Sequence, residues 1–177
     1  TQPLAIVDLE TTGARALQDR ITEIGIVLVD ASGVRTWSRL INPMCRISSF
    51  ITQLTGISND CVAGAPEFAA VADELADMLK GRLFIAHNAR FDYAILKAEF
   101  ERLGRAFQVR SLCTVRLSRT LSPELPHHNL DALMARYGIT STKRHRALED
   151  AWVVYEFLLK AEVQHGVDAV AGAALSI

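Results

Sequence analysis

The run Ile-Thr-Glu-Ile-Gly-Ile-Val-Leu-Val-Asp at residues 21–30 constrains the fold most, because so many β-branched residues in a row favour a sheet over a helix. Residues 4–10 have the same character, and Ala31-Ser32-Gly33 supplies a turn into residues 34–41. The chain therefore opens as three antiparallel strands. A length of 177 residues suits one domain with a substantial single core.

Beyond residue 66 the periodicity changes. Phe68, Val71, Leu75 and Leu79 recur every three or four residues, which predicts an amphipathic helix over 67–80, with Gly81 as its stop signal. A strand over 82–86 follows, then a helix over 89–103 ended by Gly104, and a strand over 109–113. The remainder reads as helical, with a short helix over 129–137 capped by Asn129 and a long one over 147–163. Strands first, then alternating helix and strand, imply an α/β fold with a mixed five-stranded sheet and helices on both faces. That order matches a ribonuclease H-like fold. The domain is expected to span 1–165, and the small, apolar stretch 166–177 reads as a loose tail, the start of a linker or of a further domain.

Cys45, Cys61 and Cys113 form no Cys-x-x-Cys pair and are odd in number, which supports neither a disulfide framework nor a cysteine zinc site. With no basic leader and no bilayer-length apolar segment, a reducing, cytoplasmic setting without membrane contact is expected. The formal net charge of −1 hides an asymmetry. Residues 102–146 hold nine Lys or Arg against only Glu124 and Asp131, which leaves ten basic and eighteen acidic residues elsewhere. Such a stretch either solvates a helical face or meets a polyanion. Lys143 and Arg144, beside a motif, favour the second reading.

Three words carry carboxylates. In Asp8-Leu9-Glu10-Thr11-Thr12-Gly13, strand alternation sends both acids to one face, where burial of two like charges calls for a cation; the alternative is a strand that ends here with both acids in water. Gly13 and the two threonines supply backbone N–H groups and small hydroxyls that can approach a terminal hydroxyl or phosphate. In His87-Asn88-Ala89-Arg90-Phe91-Asp92, a strand gives way to a helix, the end of an α/β sheet where ligands gather. Asp92 then serves either as a ligand or as a dipole-favoured acid of the first turn.

In His145-Arg146-Ala147-Leu148-Glu149-Asp150, the histidine and Asp150 lie roughly 140° apart on a continuous helix and cannot share a site. A loop at His145, with Asp150 in the first turns, brings them together. Spacing alone leaves Glu149 and Asp150 as rivals. His127-His128 follows Pro123 and Pro126 in a loop and reads as non-ligating, while Trp37, Trp152 and Phe157 read as core. No nucleophile elbow, dinucleotide fingerprint or phosphate loop is present in the sequence.

In combination and order these words resemble the DEDDh exonucleases, the group that includes the proofreading epsilon subunit of bacterial DNA polymerase III and ribonuclease T. The resemblance also takes in Glu23-Ile24-Gly25, Leu54-Thr55-Gly56-Ile57 and Asn129-Leu130-Asp131-Ala132-Leu133, and so covers roughly residues 4–163. It implies that Asp8, Glu10, Asp92 and Asp150 hold two Mg2+ or Mn2+ ions, with His145 as general base. It further implies that Thr11, Thr12, Gly13, Thr55, His87, Asn88 and Phe91 line the terminal nucleotide. The implied reaction is hydrolysis at an unpaired 3′ end of DNA, releasing nucleoside 5′-monophosphates in proofreading or repair, with a polymerase subunit as partner. An exoribonuclease, or an inert module that binds nucleic acid or a polymerase, are the alternatives.

Overall fold

The computed structural model describes residues 2–177. Strands β1 (Leu4–Thr11), β2 (Ile21–Asp30) and β3 (Gly33–Leu40) come first. Helices α1 (Ser49–Thr55), α2 (Asn59–Ala63) and α3 (Phe68–Leu79) lead to strand β4 (Leu83–Ala86), helix α4 (Ala89–Arg102) and strand β5 (Ser111–Cys113). Helices α5 (Thr114–Leu121), α6 (Leu130–Tyr137), α7 (Ala147–His165) and α8 (Val167–Leu175) complete the chain. No helix among the described residues is long and apolar enough to cross a membrane.

The sheet runs β3-β2-β1-β4-β5, antiparallel on the β1–β2–β3 side and parallel from β1 through β4 to β5. This is the mixed five-stranded sheet that the pattern predicts. Alternation divides its two faces. Ala5, Val7 and Leu9 of β1, with Ile24, Ile26 and Leu28 of β2, pack under Phe68, Leu75, Ile95 and Phe100 of α3 and α4. Ile6 and Val27 point the other way, into a second core with Leu133, Val154 and Phe157 of α6 and α7. On this second face the register pairs Ile6 with Val27, Asp8 with Gly25 and Glu10 with Glu23. Apolar rows thus give way to carboxylate rows toward the carboxyl end of β1. The pairing of β1 with β4 covers Leu4, Ala5 and Ile6, so the acid-bearing end of β1 borders a crevice beside α4.

Gly25 makes this face habitable by a helix. A Cβ placed there would lie 2.2 Å from the Leu148 nitrogen and 2.3 Å from the Ala147 carbonyl carbon, so the first turn of α7 rests directly on the β2 backbone. A mid-strand glycine often marks such close approach.

Several elements depart from the sequence expectation. Residues 166–177 are not a loose tail: α8 buries Val170 and sets Ala173 and Ala174 against the second core, touching α5 and α7. Small apolar residues allow a helix to pack closely without a large amphipathic stripe. The short helices α1 and α2 have no long apolar period; the Ser48 and Ser58 hydroxyls accept from the Ile51 and Cys61 N–H groups and start them. Strand β5 pairs over Ser111–Cys113, less than the expected 109–113, while Val109 turns into the first core. Trp152 is 39% exposed on the outer side of α7, with its indole N–H donating to Glu156, whereas Phe157 is fully buried.

Replacing Gly25 by Ala is expected to destabilise the protein by more than the usual overpacking range of about 1–3 kcal/mol, because the clash is with backbone. Gly64→Ala, where a Cβ meets nothing within 4 Å, serves as the control. Urea midpoints check both, and an unchanged midpoint in Gly25→Ala would contradict the packing of α7 on β2.

Candidate active site

Asp8 and Glu10 project from β1 on the side that faces α7, and Asp150 comes down from the first turn of that helix. One carboxylate oxygen from each lies within 4.8 Å of the others. Asp8 and Glu10 are partly buried, and Asp150 is 5% exposed. Asp92 enters from the first turn of α4, 4% exposed, with its carboxylate facing the backbone N–H of Leu9 and its charge next to Asp8. All four acids that sequence reasoning assembled therefore meet at one end of β1. The rotation of α7 separates Glu149 from Asp150. Asp150 points inward, while Glu149 lines a separate surface pocket with Thr36 and Trp152.

Crowding shows in the proton affinities. Burial, then the charges of Asp92, Glu10 and Asp150, holds the Asp8 carboxyl well above the usual range. Burial likewise raises Asp92. Glu10 is pushed up to about 8, first by burial and then by Asp150 and Glu23. Asp150 is raised by burial even though Arg144 opposes the shift. A set of four hard oxygen donors that repel one another and are largely withdrawn from the surface suits small divalent cations. Asp150 adds a further sign of fit, since its Oδ1 is buried with no hydrogen-bond partner among the described residues.

The other oxygen, Oδ2, accepts from the Arg144 guanidinium and from the His145 backbone N–H at 3.2 Å. Arg144 also reaches Asp131 at 2.8 Å and so spans the loop between α6 and α7. His145 lies on that loop, two residues before the helix, as the sequence argument required. Its backbone is left-handed, with φ of 62°, and Asn88 at the entry to α4 is likewise left-handed, with φ of 70°. Both conformations cost energy for residues other than glycine, and both flank the acids. The His145 ring is partly buried and forms no hydrogen bond with any described residue.

Two residues that sequence reasoning met only as part of a resemblance, Glu23 and Gly25, place α7. The buried Glu23 carboxylate accepts from the Ala147 N–H at 2.8 Å and from the Arg146 guanidinium at 2.6 Å. This caps the helix that carries Asp150 from a strand more than a hundred residues away. An acid in the interior of a strand that is otherwise mostly apolar up to Val29 is the available signal.

The expected substrate contacts divide. Asn88 is exposed and makes no side-chain cap to α4, and Phe91 lies partly buried against the first core in the same turn as Asp92. Thr11 donates to the Gly13 carbonyl at 2.6 Å, and Thr12 donates to Asp19 at 3.0 Å, so their hydroxyls already brace the turn after β1. A Cβ at position 13 would lie 2.6 Å from the Asp19 carboxylate, which would have to shift to admit it. Thr55 is buried, donates to the Ile51 carbonyl and accepts from the Ile57 N–H, so its hydroxyl closes α1. His87 places Nδ1 2.9 Å from the Thr114 hydroxyl, and burial lowers its pKa to about 4. His128 is clasped by Ser118 and the Leu125 carbonyl.

A family model described as exonuclease, of the RNase T group, matches residues 5–158. The PolC-type DNA polymerase III of Caldanaerobacter subterraneus is 37% identical over 156 residues, which cover 88% of this chain and 11% of the polymerase. The chain thus spans about a tenth of the length of the curated relatives it matches. A structure of exonuclease X in complex with 5′-overhanging duplex DNA superposes with a TM-score of 0.75 at 26% identity, covering 97% of this chain and 99% of that one. The zinc-bound complex of E. coli exonuclease I with single-stranded DNA gives a TM-score of 0.82 at 18% identity, over 93% of this chain and 41% of that one, a likeness of fold.

A raised carboxylate keeps its proton longer in the folded chain than in the unfolded one, so stability falls as pH climbs from the ordinary value toward the folded one. For Glu10 that window runs from 4.5 to about 8. His87 acts oppositely between 4 and 6.5, where its unfolded form binds more protons. In EDTA the stability is therefore expected to fall between pH 6.5 and 8 by about 1.4 kcal/mol per pH unit for each proton involved, with the melting temperature falling in step, and Glu10→Gln should flatten the drop. A profile in EDTA that stays level or rises over that interval would contradict the crowding.

Proposed function

Because this chain belongs to the exonuclease family whose model spans residues 5–158, we propose that it hydrolyses the terminal phosphodiester bond at the 3′ end of single-stranded or frayed DNA. The observation that carries this reading is the convergence of Asp8, Glu10 and Asp150 oxygens within 4.8 Å, with Asp92 against Asp8. These four residues would hold two divalent cations, Mg2+ or Mn2+. When bound, such ions offset the acids' charge and supply Lewis-acid activation of water and of the departing oxygen.

The chain's own residues do the rest. Asp8 and Glu10, fixed by a strand in the interior of the sheet, and Asp150, fixed through the Glu23 cap, give a rigid frame against which a phosphate can be aligned. His145, on its strained loop, takes the proton from the attacking water, whose oxygen bonds to phosphorus as the P–O3′ bond breaks. The products are a nucleoside 5′-monophosphate and a strand shorter by one nucleotide, its new end a 3′-hydroxyl. Asn88 and Phe91 flank the terminal nucleotide from the α4 side, and the turn from Thr11 to Gly13 flanks it from β1. Thr55 and His87 support this region through their internal hydrogen bonds. Unpaired ends are preferred because splaying a terminal base costs least when it is mismatched or single-stranded. Similarity to a segment of PolC-type polymerases favours DNA, and a replicative or repair setting in the cytoplasm.

Asp8→Ala is expected to abolish 3′ shortening of a 5′-labelled oligonucleotide while the circular dichroism spectrum stays native. His145→Gln should lower turnover by about 10²–10⁴-fold with Mn2+ affinity retained. Wild-type rates in Asp8→Ala would overturn the assignment of the centre, and a matching loss of Mn2+ affinity in His145→Gln would make that residue a ligand instead.

A further inference from the structure

The arginines of this fold are mostly paired internally: Arg20 with Glu99, Arg82 with Asp30, Arg105 with Asp73, Arg144 with Asp150 and Arg146 with Glu23. Arg90, Arg116 and Arg119 are exposed and have no acid within salt-bridge distance among the described residues. All three line one groove of about 790 Å³, together with Lys97, and no acidic side chain lines it.

The placement follows from helical spacing. Arg90 and Lys97 are seven apart on α4 and share a face, and Arg116 and Arg119 are three apart on α5 and share another. Between the two helices the groove floor is Ser111 and Cys113 of β5, the edge strand of the sheet. One end is formed by Asn88 and Ala89, in the turn that carries Asp92. The groove therefore adjoins the entry to α4, whose first turn carries Asp92. Arg90 and Lys97 are separated by about 10 Å along the axis of α4, about the rise of three stacked nucleotides.

We propose that this groove carries the phosphodiester backbone of the strand upstream of the 3′-terminal nucleotide, with Arg90, Arg116 and Arg119 as its phosphate contacts. This rests on the reading that the terminal nucleotide sits at the carboxylates. Exposed guanidinium groups without acid partners are what a repeating anion requires, and they supply attraction that the near-neutral net charge of −1 does not. They also offset the repulsion a phosphate chain meets near four acids.

The test compares the wild type with Arg116→Ala/Arg119→Ala and with Arg90→Ala. Binding of a labelled twelve-nucleotide oligothymidylate is followed by anisotropy against salt, and hydrolysis is measured on the oligonucleotide and on the p-nitrophenyl ester of thymidine 5′-monophosphate, which reaches the terminal site alone. The double variant is expected to show a salt slope shallower by about 1.4, two phosphates' worth for a single strand, and a KM for the oligonucleotide raised about tenfold or more. Its rate on the ester should stay within twofold. An unchanged slope and unchanged oligonucleotide affinity would overturn the proposal, as would a polyglutamate peptide that binds the wild type as tightly as the oligonucleotide does. A wild type that cleaves neither substrate yet loses salt slope in the double variant would leave the groove standing and bring down the nuclease reading instead.

Discussion

Repulsion among carboxylates governs this molecule. Asp8, Glu10 and Asp150 bring oxygens within 4.8 Å of one another, and Asp92 adds a fourth charge beside Asp8, in a crevice with little water to screen them. Left to itself such a group would spread apart or take up protons. The fold prevents spreading by anchoring each acid to a different rigid element. A strand interior to the sheet holds the first pair, the entry to α4 holds Asp92, and the start of α7 holds Asp150. The cost appears as raised proton affinity and as left-handed backbone at Asn88 and His145. Strain gathered at one place is the mark of a site built for something other than stability.

The anchoring of α7 is the least obvious part. Gly25 leaves room for the helix backbone, and Glu23, two residues earlier on the same face, caps its first turn while pairing with Arg146. In register, Gly25 stands opposite Asp8 and Glu23 opposite Glu10. The same two rows that display the paired carboxylates on β1 thus dock, on β2, the helix that brings Asp150 to them. Arg144 supplies a positive charge to Asp150 and Asp131, which ties the loop bearing His145 to both neighbouring helices.

Local rules made much of this legible in the sequence. Period-two alternation put Asp8 and Glu10 on one face, apolar spacing outlined α3, and the helical angle between His145 and Asp150 called for a loop at the histidine. What stayed hidden depends on contacts between distant parts of the chain. The choice between Glu149 and Asp150 needs the rotation of α7 on the sheet. The tie from Glu23 to Ala147 spans 124 residues. The inward turn of His87 toward Thr114 and the closure of α1 by Thr55 are decided by neighbours that spacing does not reveal. Residues 166–177 looked loose because small residues give little periodic signal, yet α8 packs on α5 and α7. The basic excess of residues 102–146 was visible as composition. Which of its arginines are spent on internal acids, and which remain outward beside Arg90, is a property of the folded surface.

The central claim is that the four acids form a centre for two divalent cations. The most direct measurement is a titration of the purified protein with Mn2+, following free ion by its paramagnetic resonance, in the presence of a nucleoside 5′-monophosphate. The account predicts two bound ions per chain, falling to one or none when Asp8 is changed to Asn. A folded protein that binds no Mn2+ under these conditions, or binds it equally well without Asp8, would contradict it.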